Sequence, residues 1–232
     1  MLLRHYHLLP GEPITFLVLV GLGVLALTVA ITIHEFSHTL VANGLGDTTA
    51  KDQGRLSLNP LKHLDPVGTV MILLAGFGWG KPVPVNPDRL AHGAMGTSLV
   101  AAAGPISNLM VAFLLAVPIK LGILDFTGIQ FYSMKDLISG GSLDLLSAMV
   151  TLMIILNLFL AVFNLIPLSP LDGSRILEGF IPRENSAAYA KIQQYGPVIL
   201  IGVIMMDYMS SFSILGTLMG PVVEALLTIA VG

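Results

Sequence analysis

The apolar run that starts at Ile14 is long enough to cross a bilayer, and toward its end it reads Ile31-Thr32-Ile33-His34-Glu35-Phe36-Ser37-His38. Ionisable groups at membrane depth are costly, roughly 2.5–3.5 kcal/mol each at a helix centre on insertion scales for Asp and Lys. Three of them in one span call for a compensating interaction, and a bound metal ion is the most economical one.

The rest of the chain carries the same membrane signature. Of its 232 residues 54% are hydrophobic and only 11% charged, against about 25% charged in soluble domains. A net charge of -3 without a basic run gives no electrostatic footprint for nucleic acid. Cysteine is absent, so metal ligands must come from His, Asp and Glu. The reading is an all-α polytopic membrane protein with about four to five membrane helices. A first span runs from Ile14 to Asn43-Gly44, a second from about Thr97 to Leu121, and a third from Leu145 to about Ile166. Apolar residues from about 192 to 231 supply one broken helix or two. The run from Ile14 to Ile33 exceeds a signal-peptide core and lacks a small-residue cleavage pattern, which favours a retained helix. Between the first and second spans, Gly78, Trp79, Gly80, Lys81, Pro82 and Val83 alternate small or proline residues with apolar ones, a pattern expected of a re-entrant or edge-strand β segment. A short interfacial helix is expected within Gly122 to Asp144.

Lys and Arg set the orientation. Lys51, Arg55, Lys62, Lys81, Arg89, Arg175, Arg183 and Lys191 fall on one side, and only Arg4, Lys120 and Lys135 on the other. This asymmetry predicts an external N-terminus and a site nearer the cytoplasmic face, and the expected location is the cell membrane.

On a helix His34 and His38 are one turn apart on one face, so both imidazoles reach one tetrahedral metal, with Glu35 beside them to reach its water. A catalytic zinc needs a third protein ligand and an open position. The best candidate is Asp172 in Asn164-Leu-Ile-Pro167-Leu-Ser-Pro170-Leu-Asp172-Gly173, where prolines loosen the end of the third span. The ordinary alternatives are hydrogen-bonded core histidines and, for Asp172, an N-cap of the following helix. Asn108 and Asn164 lie in apolar spans, as oxyanion or substrate donors or as interhelical glue. His63 and Asp65 read as a local turn or surface contact.

HEFSH in one span, followed more than a hundred residues later by N-x-x-P-x-x-P-L-D-G at the end of another, resembles the site-2 protease family of intramembrane zinc metalloproteases, peptidase family M50. Three further strings, Asn59 to Gly68, Gly78 to Pro87 and Ala103 to Asn108, are similar to that family in the same order. The resemblance implies one Zn2+ per chain held by His34, His38 and Asp172, with Glu35 as general base and acid. It also implies a catalytic core of the first three spans, and an unwound substrate helix held by the strand from Gly78 to Asn86. The expected organisation is a single domain over 1–232, with the core at about 14–175 and C-terminal membrane helices at about 192–231. The expected activity is hydrolysis of peptide bonds in or near transmembrane segments of membrane proteins, within the lipid bilayer. A non-proteolytic metal transporter or sensor using the same His/His/Asp cluster is the competing expectation, and Glu35 separates the two because metal carriage needs no base.

Overall fold

A computed structural model describes residues 13–75, 78–127, 141–210 and 213–232. In lipid the backbone must satisfy its own hydrogen bonds, so long apolar runs become helices. Among the described residues these are α1 (Pro13–Gly44), α2 (Thr49–Asp52), α3 (Pro66–Ala75), α4 (Ala94–Lys120), α5 (Ser142–Asn164), α6 (Asp172–Glu178), α7 (Ser186–Gln193), α8 (Gly196–Met209) and α9 (Ile214–Val231), with 3-10 turns at Pro60–Lys62, Pro87–Arg89 and Arg183–Asn185. Four are long and apolar enough to span: α1 over Val20–Gly44, then α4, α5 and α9. The short interfacial helix expected within Gly122 to Asp144 falls largely on residues outside the described set, as do Arg4 and Lys135.

Helix α1 stops where the sequence supplies Asn43 and Gly44. The chain then turns through Gly46 at φ +102°, a conformation that favours glycine. Asp47, almost fully buried, accepts from the Thr49 amide at 3.0 Å and the Asn86 amide at 2.7 Å. That carboxylate ties the end of α1 to the segment leading into α4.

Helices α1, α4 and α5 pack on one another, and α9 packs on α4 and α5. The apolar core between the last three uses small residues on α4 (Ala112, Ala116) against Val150, Ile154 and Leu158 of α5 and Ala230 of α9. Lys120 Nζ donates to the Ile229 carbonyl at 2.8 Å, placing the C-terminal ends of α4 and α9 together. Helix α8 starts against Ser169, just beyond the end of α5, where a Cβ on Gly196 would meet the Ser169 carbonyl at 2.4 Å. Its other end joins the start of α9 through Asp207, which accepts from the Ile214 and Leu215 amides at 2.6 and 3.0 Å. Asp207 therefore caps α9. At 14 residues helix α8 is about 21 Å long, short of the roughly 30 Å hydrocarbon core. The C-terminal region thus contributes one helix of spanning length and one shorter apolar helix.

The expected β segment is corrected. No strand occurs among the described residues, where Leu64 and Gly80 form a single isolated antiparallel bridge, and no re-entrant segment is supported. The physical reason lies in the local sequence: Pro82 and Pro84 have no N–H to offer a ladder, and the backbone N–H and C=O of Lys81 are already committed to the segment before α3.

A candidate metal centre between α1, α4 and α6

The i, i+4 spacing on α1 places His34 and His38 on the face that meets α4, with ring centroids 4.6 Å apart and the rings nearly perpendicular at 86°. Both are buried, at 5% and 7% exposure. The third group arrives from the end of α5. There the chain folds back so tightly that a Cβ on Gly173 would lie 2.3 Å from the Leu165 carbonyl. Ser98 of α4 then holds α6 by donating to the Arg175 and Ile176 carbonyls at 3.0 Å each. Asp172 is the first residue of α6, and Leu171 occupies the N-cap position without a side-chain cap, so its carboxylate is not a capping group. It points between the imidazoles instead, with Oδ2 at 3.0 Å from His34 Nε2 and 3.3 Å from His38 Nε2.

The outer hydrogen bonds decide what those three atoms can be. His38 Nδ1 lies 2.7 Å from the Val100 carbonyl, which can only accept, so in the neutral ring Nδ1 carries the proton and Nε2 a lone pair. Asn108 Nδ2 donates to the Ala30 carbonyl at 3.1 Å and to Asn157 Oδ1 at 2.7 Å, which fixes the amide. Its Oδ1 therefore accepts from His34 Nδ1 at 2.6 Å, which leaves the lone pair on His34 Nε2 whenever that ring is neutral. Asp172 Oδ2 is buried and receives no well-formed hydrogen bond. Three potential ligand atoms thus converge within 4.8 Å of one another, an arrangement that a bound cation, or a proton on an imidazole, would relieve. Ligand atoms about 2.0 Å from a tetrahedral zinc stand about 3.3 Å apart, matching the two His–Asp separations. The orphaned carboxylate oxygen, the two imidazoles held through Nδ1 and the absence of thiolates all fit zinc.

Glycine sets the floor of this centre. A Cβ on Gly104 would fall 2.5 Å from His38 Nε2 and 2.6 Å from His34 Nε2, so α4 approaches the imidazoles at a distance that only glycine allows. Glu35, between the two histidines, is half-buried and faces the 78–82 loop: a Cβ on Gly80 would lie 3.2 Å from its Oε1.

The other residues singled out in the sequence separate. Asn108 is at the centre, but both its amide hydrogens are committed to Ala30 and Asn157, so it orients His34 rather than donating to an oxyanion. Asn164 turns its amide back to the Leu160 carbonyl of its own helix at 3.0 Å. In the Gly78 to Val83 segment, the Lys81 amide donates to the His63 carbonyl at 2.7 Å. Arg55 donates to the carbonyls of Lys81 and Pro82. His63 is fully buried, not at the surface, whereas Asp65 does form a local turn by accepting from the Gly68 amide at 2.8 Å. Asn157 escaped the sequence reading. Its signal was its place in the same apolar span as Asn164, two turns earlier; its Nδ2 donates to the Met153 carbonyl at 2.8 Å.

Asn108→Leu leaves His34 Nδ1 without its acceptor while sparing all three inward atoms. Outer partners of metal-binding histidines are worth 10–100-fold in metal affinity. Zinc affinity is expected to fall by about that factor, read by competition with a chromophoric chelator, and unchanged affinity would remove Asn108 from the centre.

These features define a polytopic helical membrane protein with an HExxH centre completed by a distant carboxylate. Residues 91–206 match peptidase family M50. The chain is 42% identical over 178 residues, 77% of each chain, to YwhC of Bacillus subtilis, a protein named as a candidate zinc metalloprotease. Rip2 of Mycobacterium tuberculosis, named likewise, is 30% identical over 200 residues, covering 83% of this chain and 71% of its own. No solved structure matches the chain. It belongs to peptidase family M50.

Proposed function

We propose that the chain is an intramembrane zinc endopeptidase that hydrolyses peptide bonds in or near transmembrane segments of membrane-protein substrates. The observation that carries this reading is the convergence of two imidazole lone pairs and a buried carboxylate oxygen, with Glu35 on the same helix turn. His34, His38 and Asp172 would hold one zinc. A zinc held there would supply Lewis-acid chemistry, polarising a carbonyl and acidifying water. Glu35 takes the proton of the attacking water and delivers it to the departing amide nitrogen. Val100 and Asn108 keep both imidazoles in the tautomer that faces inward. Metal carriage by a transporter or sensor leaves Glu35 with no task.

Orientation follows the charges. The chain stretches holding Lys51, Arg55, Lys62, Lys81 and Arg89, and then Arg175, Arg183 and Lys191, connect the ends of α1, α4 and α5 that lie together, while Lys120 sits at the opposite end. That supports a cytoplasmic placement for the Gly44 and Asn164 ends, an external N-terminus and a location in the cell membrane. A single domain is the simplest organisation, with 14–175 as its catalytic core and the helices within 192–231 packed against it.

The purified protein in liposomes is expected to carry one zinc per chain and to cut a panel of single-span model substrates. Chelation should abolish cleavage, and added zinc restore it. Cleavage that survives complete metal removal, or a metal-loaded protein that cuts no membrane segment, would overturn the proposal.

A further inference from the structure

The string from Arg55 to Gly68 contributes no ligand to the centre, yet it contains a buried guanidinium. Arg55 is 4% exposed, and a guanidinium withdrawn from water needs partners. Among the described residues no carboxylate pairs with it directly. Its Nη atoms donate to two backbone carbonyls of the facing loop, those of Lys81 and Pro82, and its Nε has no hydrogen-bond partner; burial presses the guanidinium below its usual pKa, with the Glu35 carboxylate acting in the opposite direction.

The base of this side chain is well fixed. The Arg55 amide donates to the Ala50 carbonyl at 3.0 Å and its carbonyl accepts from Ser57 at 2.9 Å, beside the turn at Gly54 with φ +71°. Helix α2, which contains Ala50, packs on α1. His63 braces the same loop from the other side: its Nε2 is 2.6 Å from the Ser57 carbonyl, and its own carbonyl takes the Lys81 amide. Gly68 closes the grip, since a Cβ there would lie 2.1 Å from the Trp79 carbonyl.

The gripped loop has little structure of its own. It holds a single bridge pair, Leu64 with Gly80, and Pro82 and Pro84 have no N–H to offer. Yet it has an exacting neighbour: the Cβ position of Gly80 is 3.2 Å from Glu35 Oε1 and 2.9 Å from Ile31 Cγ2. A shift of an ångström would change the space in which the Glu35 carboxylate turns.

We infer that Arg55 is a positioning residue for the peptidase centre: its buried guanidinium holds the Trp79 to Pro82 loop so that Gly80 backs onto the Glu35 carboxylate. The inference rests on the reading of Glu35 as general base. It also restricts how a substrate can pair with the loop, because the Lys81 N–H and the Lys81 and Pro82 carbonyls already have partners, leaving no continuous edge through those residues.

Trp79 is the chain's single tryptophan, so its emission and acrylamide quenching report the loop without requiring cleavage. Arg55→Met keeps length and loses every donor. Expected are one zinc per chain as in wild type, Trp79 quenching changed at least twofold, and kcat lowered at least tenfold with a smaller change in KM. Arg55→Lys, which can still donate to one carbonyl, is expected to recover part of both effects. Gly80→Ala leaves Arg55 in place and is expected to lower kcat with zinc retained, so the inference stays testable even if Arg55→Met does not accumulate. Wild-type quenching in a folded Arg55→Met, altered quenching with wild-type kcat, loss of zinc alongside activity, or full activity in Gly80→Ala would overturn it. If the wild-type protein cuts nothing, the peptidase reading fails, while the quenching of Arg55→Met still reports separately on the loop.

Discussion

Glu35→Gln is expected to lower cleavage by about 10²–10⁴-fold, the usual worth of a general acid–base group, while the protein keeps its full zinc complement. The substitution preserves shape and removes only the ability to take and return a proton. The inward atoms of His34, His38 and Asp172 are untouched, as are the Asn108 and Val100 acceptors behind the imidazoles. The amide still fits beside Gly80. Metal analysis of the purified variant alongside a cleavage assay checks both halves. Retained cleavage would remove Glu35 from the chemistry, and lost zinc would make it part of the binding site.

Asp172→Asn separates a metal centre from a simple buried ion pair. If imidazolium and carboxylate were held together by charge alone, the neutral amide would destabilise the fold, since breaking a buried pair costs about 3–5 kcal/mol. If instead the imidazoles are neutral and present lone pairs, as metal ligands must be, the opposite follows for the metal-free protein. The new amide can donate its two hydrogens to the two Nε2 atoms, which lie 3.0 and 3.3 Å from Oδ2 in the wild type. The variant is therefore expected to bind no stoichiometric zinc, to lose measurable cleavage, and to melt in chelator at or above the wild-type temperature. Thermal unfolding in detergent with and without chelator makes the comparison. A variant that melts far below metal-free wild type would return the cluster to an ion pair.

Much of this arrangement could be read before the fold was known, for identifiable reasons. The spans followed from apolar length, and the pairing of His34 with His38 from helical period, which needs no tertiary information. Asp172 was legible as a candidate third ligand from the prolines that loosen the end of its span, and the resemblance carried by the Pro-Leu-Asp-Gly turn sharpened it, but its approach depends on how the chain doubles back after Asn164. What escaped the sequence depends on packing. Asn157 and Asn108 meet only because α4 and α5 pack face to face, and nothing in either apolar string says which way an amide points. The same holds for Arg55, which reads as one more positive charge outside the membrane until its burial under Lys81 and Pro82 is seen. The edge-strand expectation failed because alternation was given more weight than the missing donors of Pro82 and Pro84.

Helix α4 supplies none of the three inward atoms, yet Val100, Gly104 and Asn108 stand at successive four-residue steps along it, opposite Ala30, His34 and His38 at the same steps along α1. The two ladders run in opposite directions, with Ala30 and His34 joined to Asn108 and His38 joined to Val100. A slip of one residue would move each partner about 1.5 Å along the axis and about 100° around it, breaking every one of these links at once. The centre is therefore a gauge of helix register. Any stress that tilts α1 against α4, mismatch with bilayer thickness among them, would therefore bear on all of these links together rather than on one.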